Sequence, residues 1–495
     1  MDYLGILYDV MNWGAVGWVF VGTLFGLIFG IIPGLTAMLA VIMLIPLTYG
    51  MSPVTGISML VGVYIGGISG GLVAAILLGM PGTPSSITTA FDGFPLAKQG
   101  QAGRALGIGI TSNLVGCMIG WVFLVVGAPL IAQFAVRFGP VEYVSVILFG
   151  MTVVVSLSGD SLSKGTLMAI FGLMLGTIGI DPVNGMTRNT VGLTFLEGGI
   201  SFVPALIGLF VVGQVFKELE DVSPFIIPKT AIGRVTMTFR ELKESAGNFL
   251  RSSFIGVFIG ILPGIGASLA TFVAYDQAKK ASKEPETFGH GNIQGIVASE
   301  TTNNAVIGGA LIPMLALGIP GDAVTAALMG GLQIHGIEPG PMLGSQHPEI
   351  IIGIFGYFLI STVMMYGIMI LAGARLFPVL LRVKKSYLMP AVLLFSLIGC
   401  YNIAYSMTDV AVSFVFGIFG YFFSKHGYPL VPLVITLVLG EMFEKHLRTA
   451  LFLTDGSVIP FFTTPLSVLF LAFAAFSVFF AIRQQAKEKA KKAAK

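Results

Sequence analysis

A nine-residue stretch that ends in a helix break occurs twice in this chain. The first copy is Gly26-Leu27-Ile28-Phe29-Gly30-Ile31-Ile32-Pro33-Gly34 and the second is Gly256-Val257-Phe258-Ile259-Gly260-Ile261-Leu262-Pro263-Gly264, 230 positions later. The glycines and the Pro-Gly keep register. Each copy interrupts an apolar run, where proline removes a backbone donor and clashes with the preceding turn. A second pair follows at an offset of 239: Gly79-Met80-Pro81-Gly82-Thr83 and Gly318-Ile319-Pro320-Gly321-Asp322. Gly213-Gln214-Val215-Phe216 and Gly440-Glu441-Met442-Phe443 close the two halves. Breaks at corresponding positions of two halves point to a transporter binding site between repeats.

The solvent follows from composition. Of 495 residues, 55% are hydrophobic and 10% charged, against about 25% charged in soluble domains, and the mean hydropathy is +0.91. Continuous apolar runs rather than short alternating segments exclude a β-barrel and predict an all-α polytopic membrane protein. Residues 1–218 form the first transmembrane repeat and 219–250 a polar linker. Residues 251–446 form the second repeat, and 447–495 a final transmembrane helix with a basic tail. Spans are expected near 141–158, 165–180, 199–216, 350–377, 388–423, 428–443 and 459–482. Asp2 and Asp9 precede the first span with no Lys or Arg, unlike a secretory signal, so the N-terminus is expected in the mature protein.

Charge sets the orientation. The loop at 48–53 has no Lys or Arg, whereas its counterpart at 276–290 has Lys279, Lys280 and Lys283. After the second break the contrast reverses: Lys98 and Arg104 in the first half, none at 332–349 in the second. A third pair sets Arg137 against Arg375, Arg382, Lys384 and Lys385. Positive charge marks the cytoplasmic side, so equivalent loops face opposite sides and the repeats are inverted. The Lys-rich tail and the 276–290 loop are both expected to be cytoplasmic. The Pro-Gly elements are either re-entrant or kinked spans. Segments of about ten residues on each side of Pro263-Gly264 fit half a bilayer, roughly 15 Å.

A broken helix frees amides and carbonyls, which a membrane tolerates only where protein, water or solute satisfies them. Amides at a helix N-terminus suit an anion, while carbonyls and hydroxyls suit a small cation. The candidate substrate and ion site therefore gathers the four breaks, expected to meet near the bilayer midplane, with nearby polar side chains. It comprises Pro33, Gly34, Thr36, Pro81, Gly82, Thr83, Ser85, Pro263, Gly264, Ser268, Asn303, Asn304, Pro320, Gly321 and Asp322. Ser86 belongs to the same polar group. An Asn amide offers both a donor for a carboxylate and an acceptor for a cation, so a sodium ion is expected near Asn303, Asn304 and Asp322. Glu300 and Asp322 are ionisable groups in apolar surroundings, functional candidates on that ground. Each of these polar residues has a plainer reading as a helix cap or interhelical hydrogen bond. The first-half counterpart of the Asn pair, near Tyr64 to Gly67, is mostly Gly and has no amide.

Enzyme readings lack residues. The five histidines, 290, 335, 347, 426 and 446, show no metal-ligand spacing, Cys117 and Cys400 read as buried hydrophobes, and no P-loop is present. Gly321-Asp322 lacks a partner aspartate for an intramembrane protease. No catalytic residue and no cofactor is expected.

Ile76-Leu77-Leu78-Gly79-Met80-Pro81-Gly82-Thr83-Pro84 followed by Phe91-Asp92-Gly93-Phe94-Pro95-Leu96-Ala97 resembles the large membrane subunit (TctA) of the tripartite tricarboxylate transporters. So do Ala298-Ser299-Glu300, Asn303-Asn304-Ala305 and Leu317-Gly318-Ile319-Pro320-Gly321. The resemblance covers nearly the whole chain. It implies a multi-pass secondary transporter of the bacterial inner membrane that works with a small four-helix membrane subunit and a periplasmic solute-binding protein. It implies uptake of tricarboxylates or related carboxylates driven by an ion gradient, commonly sodium, with the proton as the other choice. Thr301-Thr302 stands where the family often has Ala-Ala, which adds hydroxyls and leaves the substrate open. The alternatives are a carrier or exchanger of another solute or ion, and a passive channel.

Overall fold

The computed structural model describes residues 3–157, 161–220, 232–383 and 385–493. The linker residues 221–231, with Lys229, and the basic residues Lys384 and Lys495 lie outside that set. The described chain is an all-α polytopic membrane protein, and eight of its helices are long and apolar enough to cross a membrane. It forms two compact units. The first holds residues 1–132, 222–261 and 266–392, and the second 133–221, 262–265 and 393–495. Each unit draws on both sequence repeats.

Two helices fill the first unit, Pro53–Leu78 and Ile293–Leu317. Both are buried along nearly their full length, the first as a helix apolar almost all round, the second although its middle is polar. Each ends in a glycine in the left-handed region, Gly79 at φ +68° and Gly318 at φ +71°, where a Cβ would be strained. Each packs against the helix that carries a Pro-Gly break: Trp13–Ile31 with Pro53–Leu78, and Ala246–Ile261 with Ile293–Leu317. The breaks themselves are short turns, followed by helices Ala37–Thr48 and Gly266–Ala281. The helices flanking Pro263-Gly264 have 16 residues each, about 24 Å, longer than the ten or so expected.

The glycine register reappears as contact geometry. A Cβ built at Gly26 would lie 2.2 Å from the Val63 carbonyl oxygen, and one at Gly256 would lie 2.6 Å from that of Thr302. Gly30 meets the Gly67 oxygen at 2.2 Å and Gly260 that of Val306 at 2.8 Å. In the return direction Gly70 meets the Leu27 oxygen and Gly309 that of Val257. Each pair of contacts is related by the same two offsets, 230 on the first helix and 239 on the second. Helix backbones approach this closely only through residues without side chains.

Within the second unit, Leu430–Leu453 packs with Pro140–Leu157 and Leu162–Gly176, Pro465–Ala493 packs with Pro140–Leu157, and Met407–Lys425 packs with the segment 202–220, which contains a π-helical stretch at Ile207–Val212. Gly172 sits on the Leu433 carbonyl and Gly420 on that of Leu209. A two-stranded antiparallel ribbon, Gly179–Ile180 with Thr187–Arg188, is tied to the last turns of Leu430–Leu453. Arg188 bonds Asp181 and Glu444, and Arg448 bonds the same two carboxylates. The Val183 and Asn184 amides, Val183 foremost, together with Arg448 hold the Asp181 carboxyl below the usual carboxylate range.

Two boundaries differ from the sequence expectation. The apolar run 388–423 is two helices, Lys385–Ala404 and Met407–Lys425. Tyr405 turns the chain at φ +51° and the Ser406 hydroxyl caps the Asp409 amide at 3.2 Å, so a serine cap overrides an apolar run that has no Pro or Gly at the turn. The later part of the 219–250 segment is also helical. Thr238 and Glu241 form a capping box that starts Phe239–Glu244, Glu241 pairs with Arg104 at 2.6 Å, and Ala246–Ile261 begins five residues before the expected edge of the second repeat.

The contact geometry sets a measurable contrast. Gly26→Ala is expected to lower stability by about 1–3 kcal/mol through overpacking. Gly17→Ala, where a Cβ meets nothing within 4 Å, should stay within about 0.5 kcal/mol of wild type. Thermal unfolding of the purified protein in detergent separates the two.

Candidate functional site

Residues 299–304 place six consecutive polar side chains in the middle of Ile293–Leu317, all fully buried. At about 100° per residue they point all round the helix, so each meets a different neighbour. The Thr302 hydroxyl donates to the Ser252 carbonyl at 2.9 Å. The Glu300 carboxylate accepts from the Thr89 hydroxyl. The Asn304 amide is saturated: its nitrogen donates to Asn113 Oδ1 at 2.7 Å and to the Glu300 carbonyl at 3.1 Å, and its oxygen accepts from Ser69 at 2.6 Å. Asn304 thereby joins helices Pro53–Leu78, Ala102–Ala135 and Ile293–Leu317.

Asn303 differs from its neighbour. Its amide lies beside the Glu300 carboxyl, yet neither Nδ2 nor Oδ1 makes a hydrogen bond of good geometry. Buried oxygens without partners also include Glu300 Oε2 and the hydroxyls of Thr88, Ser253, Ser299 and Thr301. Buried polar groups in folded proteins are ordinarily bonded, so this concentration around one half of one helix marks a place built for something else.

The breaks supply the rest. At the second, Gly82 lies against the Gly30 carbonyl of the first, and its amide donates to Gly71. Pro81 is half-buried, and the Thr83 hydroxyl is bonded to those of Ser85 and Ser86 at 3.2 and 2.9 Å. The Ser85 carbonyl accepts from Thr271, which also bonds the Ser268 carbonyl. At the fourth break Pro320 and Gly321 are buried and Gly321 packs on Ala310. Asp322 caps helix Ala323–Ile334: its Oδ1 accepts from the Thr325 amide at 2.8 Å and hydroxyl at 2.9 Å, and its Oδ2 accepts from the Tyr64 hydroxyl at 2.5 Å. At the first break Pro33 is buried, Gly34 exposed, and Thr36 caps Leu39 at 3.2 Å. Pro263 and Gly264 group with the second compact unit. The structure thus brings the first break to the second and joins the fourth to Pro53–Leu78.

Sequence reasoning passed over several residues here. Tyr64, Thr89, Ser69 and Asn113 carried no local signal, because their partners lie between 44 and 258 positions away. Asp92 did carry one, an acid inside the Phe-Asp-Gly-Phe-Pro stretch. Its Oδ1 accepts from the amides of Gly289, Gly291 and Asn292 at 2.8–2.9 Å, and its Oδ2 from the Tyr275 hydroxyl at 2.8 Å. That one carboxylate fixes the turn that launches Ile293–Leu317. A Cβ at Gly295 would stand 2.1 Å from Oδ2.

Removing either anchor has a defined cost. Asp92→Ala strands three backbone amides and is expected to cost about 3 kcal/mol or more, while Tyr64→Phe removes one donor from Asp322 and costs about 1–3 kcal/mol. Thermal unfolding of both variants beside wild type measures this, and equal midpoints for all three would contradict it.

Comparison with known proteins gives a consistent picture. The family profile described as "Tripartite tricarboxylate transporter TctA family" matches residues 16–435. A protein of Agrobacterium vitis named "Uncharacterized 52.8 kDa protein in TAR-I ttuC' 3'region" is 36% identical over 455 residues, 92% of this chain and 90% of its own. A second from the same organism, "Uncharacterized protein in TAR-II ttuC' 3'region", is 35% identical over 47% of this chain and 96% of its own. No solved structure matches the chain.

Proposed function

The chain belongs to the TctA family of tripartite tricarboxylate transporters, and from that membership we propose that it is the large membrane subunit of an ion-gradient-driven importer of tricarboxylates or related carboxylates. In this reading it sits in the bacterial inner membrane as two inverted repeats. It works with a small four-helix membrane subunit and a periplasmic solute-binding protein that delivers the substrate, and the coupling ion is sodium, with the proton as the other choice.

The observation that carries the reading is the repeated glycine packing beside the helix breaks, together with a buried polar helix in the first unit. Glycine contacts on Trp13–Ile31 recur on Ala246–Ile261 at fixed offsets. The helix packed against Ala246–Ile261 carries the run Ser299–Asn304, whose polar atoms are only partly used by protein. Polar groups kept unpaired in a membrane interior are costly unless a solute takes them up. Helix N-termini at the breaks supply amides for carboxylate oxygens, and the second break adds the hydroxyls of Thr83, Ser85 and Ser86. The coupling ion belongs beside Asn303 and Asn304, where amide and hydroxyl oxygens gather.

The two asparagines are expected to behave differently. Asn303→Ala should leave a folded protein whose apparent affinity for carboxylate or ion falls about tenfold, the effect of about 1.4 kcal/mol. Asn304→Ala should lower stability by about 0.6–2 kcal/mol, as loss of an interhelical amide does in membranes. Uptake by the assembled three-component system, measured at varied sodium and carboxylate, checks this once the bound ligand of the solute-binding protein has been identified. Unchanged kinetics in both variants would remove the pair from the site, and equilibration without accumulation would replace the carrier by a channel.

A further inference from the structure

Among the described residues four carboxylates are buried in the first unit, and three of them are spoken for; Glu241 is held by Arg104 and Thr238. Asp92 receives three amides and a phenol; Asp322 receives an amide and two hydroxyls, with donors on both oxygens. Glu300 has one donor, the Thr89 hydroxyl on Oε1, while Oε2 has none. Among the described residues neither Glu300 nor Asp322 makes an ion pair. An isolated carboxylate in a membrane interior is too costly to keep unless it carries a proton or a counter-ion.

The matched contacts of the two halves say where to look for that partner. The offset of 239 that relates Gly70 to Gly309 and Gly82 to Gly321 also relates Tyr64 to Asn303 and Thr83 to Asp322. Tyr64, from the first half, reaches across to the fourth break and supplies the hydroxyl that Asp322 needs. At the equivalent sequence positions the long phenol is replaced by the short amide of Asn303, and the aspartate by Thr83, whose hydroxyl is bonded to those of Ser85 and Ser86. One of two equivalent positions is closed by a tyrosine. The other keeps an amide beside the Glu300 carboxyl, with neither of its polar atoms in a hydrogen bond of good geometry, and one oxygen of that carboxyl has no partner of good geometry either.

We propose that Glu300 and Asn303 form the binding centre for the coupling cation, a monovalent cation that is either sodium or a proton, and that Asp322 is a closed structural counterpart. The inference rests on the ion-coupled reading above. Glu300 and Asn303 are three positions apart and share one helix face, with Ser299 a further position before. A carboxylate, an amide oxygen and a hydroxyl are hard oxygen ligands suited to an alkali cation, and one buried negative charge is balanced by one positive charge. Glu300 is the charge carrier and Asn303 a ligand.

The test uses the full-length chain in lipid nanodiscs and the assembled transporter in proteoliposomes. Radioactive sodium binding is titrated at constant ionic strength against choline. In parallel, uptake is driven by a sodium gradient alone or by a pH gradient alone. If sodium is the ion, Glu300→Gln and Asn303→Ala raise the half-saturating sodium concentration about tenfold or more, the loss of about 1.4 kcal/mol, while Tyr64→Phe lowers thermal stability and keeps the wild-type value. If the proton is the ion, wild type responds to the pH gradient alone and Glu300→Gln loses that response. Folded Glu300→Gln that keeps the wild-type cation dependence overturns the assignment. Should that variant not fold, Glu300→Asp retains the charge one methylene further back and must still shift the cation dependence, and an unshifted value overturns the assignment equally. A wild type that responds to neither cation removes the ion-coupled reading itself, a different result from a variant that behaves like wild type.

Discussion

In the first unit, helix backbones touch. Gly26 and Gly30 place the Trp13–Ile31 helix so near Pro53–Leu78 that a methyl group would overlap a carbonyl oxygen, and Gly256, Gly260 and Gly309 do the same for the second pair. In water such closeness would gain from expelling solvent. In a bilayer lipid chains are as apolar as the side chains they replace, so packing contacts and polar bonds between helices must hold the assembly. The glycine faces therefore decide where Pro53–Leu78 and Ile293–Leu317 sit. With them is decided where Tyr64, Ser69, Glu300, Asn303 and Asn304 sit, because these side chains ride on the same two helices.

Burial of those two helices shapes the chemistry. A helix with no solvent face has to find a partner for every polar atom it carries. Asn304 finds three, Thr302 finds the Ser252 carbonyl, and Asp322 finds Tyr64 and its own capping box. Against that background Asn303 stands out with neither amide atom in a well-formed hydrogen bond, and Glu300 with one carboxylate oxygen unbonded. The contrast between adjacent asparagines, one saturated and one not, distinguishes a structural role from a recognition role within a single turn of helix.

Much of this was legible in the sequence and some was not, for physical reasons. Pro33, Pro81, Pro263 and Pro320 mark breaks because proline acts through local backbone chemistry. The spacing of Gly22, Gly26 and Gly30 marks a contact face because the helical period is fixed. The division of the run 388–423 at Tyr405 was not legible, since a serine cap leaves an apolar run looking continuous. Neither was the helix begun by Thr238 and Glu241 inside a polar stretch. The Tyr64–Asp322 bond and the Asp92 anchor were beyond reach for another reason: they join residues about two hundred positions apart, and nothing in either neighbourhood names the other.

Asp92 also fixes how the molecule can open. One carboxylate oxygen holds the amides of Gly289, Gly291 and Asn292 together. Fraying of a loop ordinarily proceeds one hydrogen bond at a time, with each amide visiting solvent on its own schedule. Here the acceptor is shared, so withdrawal of that side chain releases all three donors in a single event. By this geometry the three amides of the turn before Ile293–Leu317 lose their acceptor together, so their exchange is coupled and not graded.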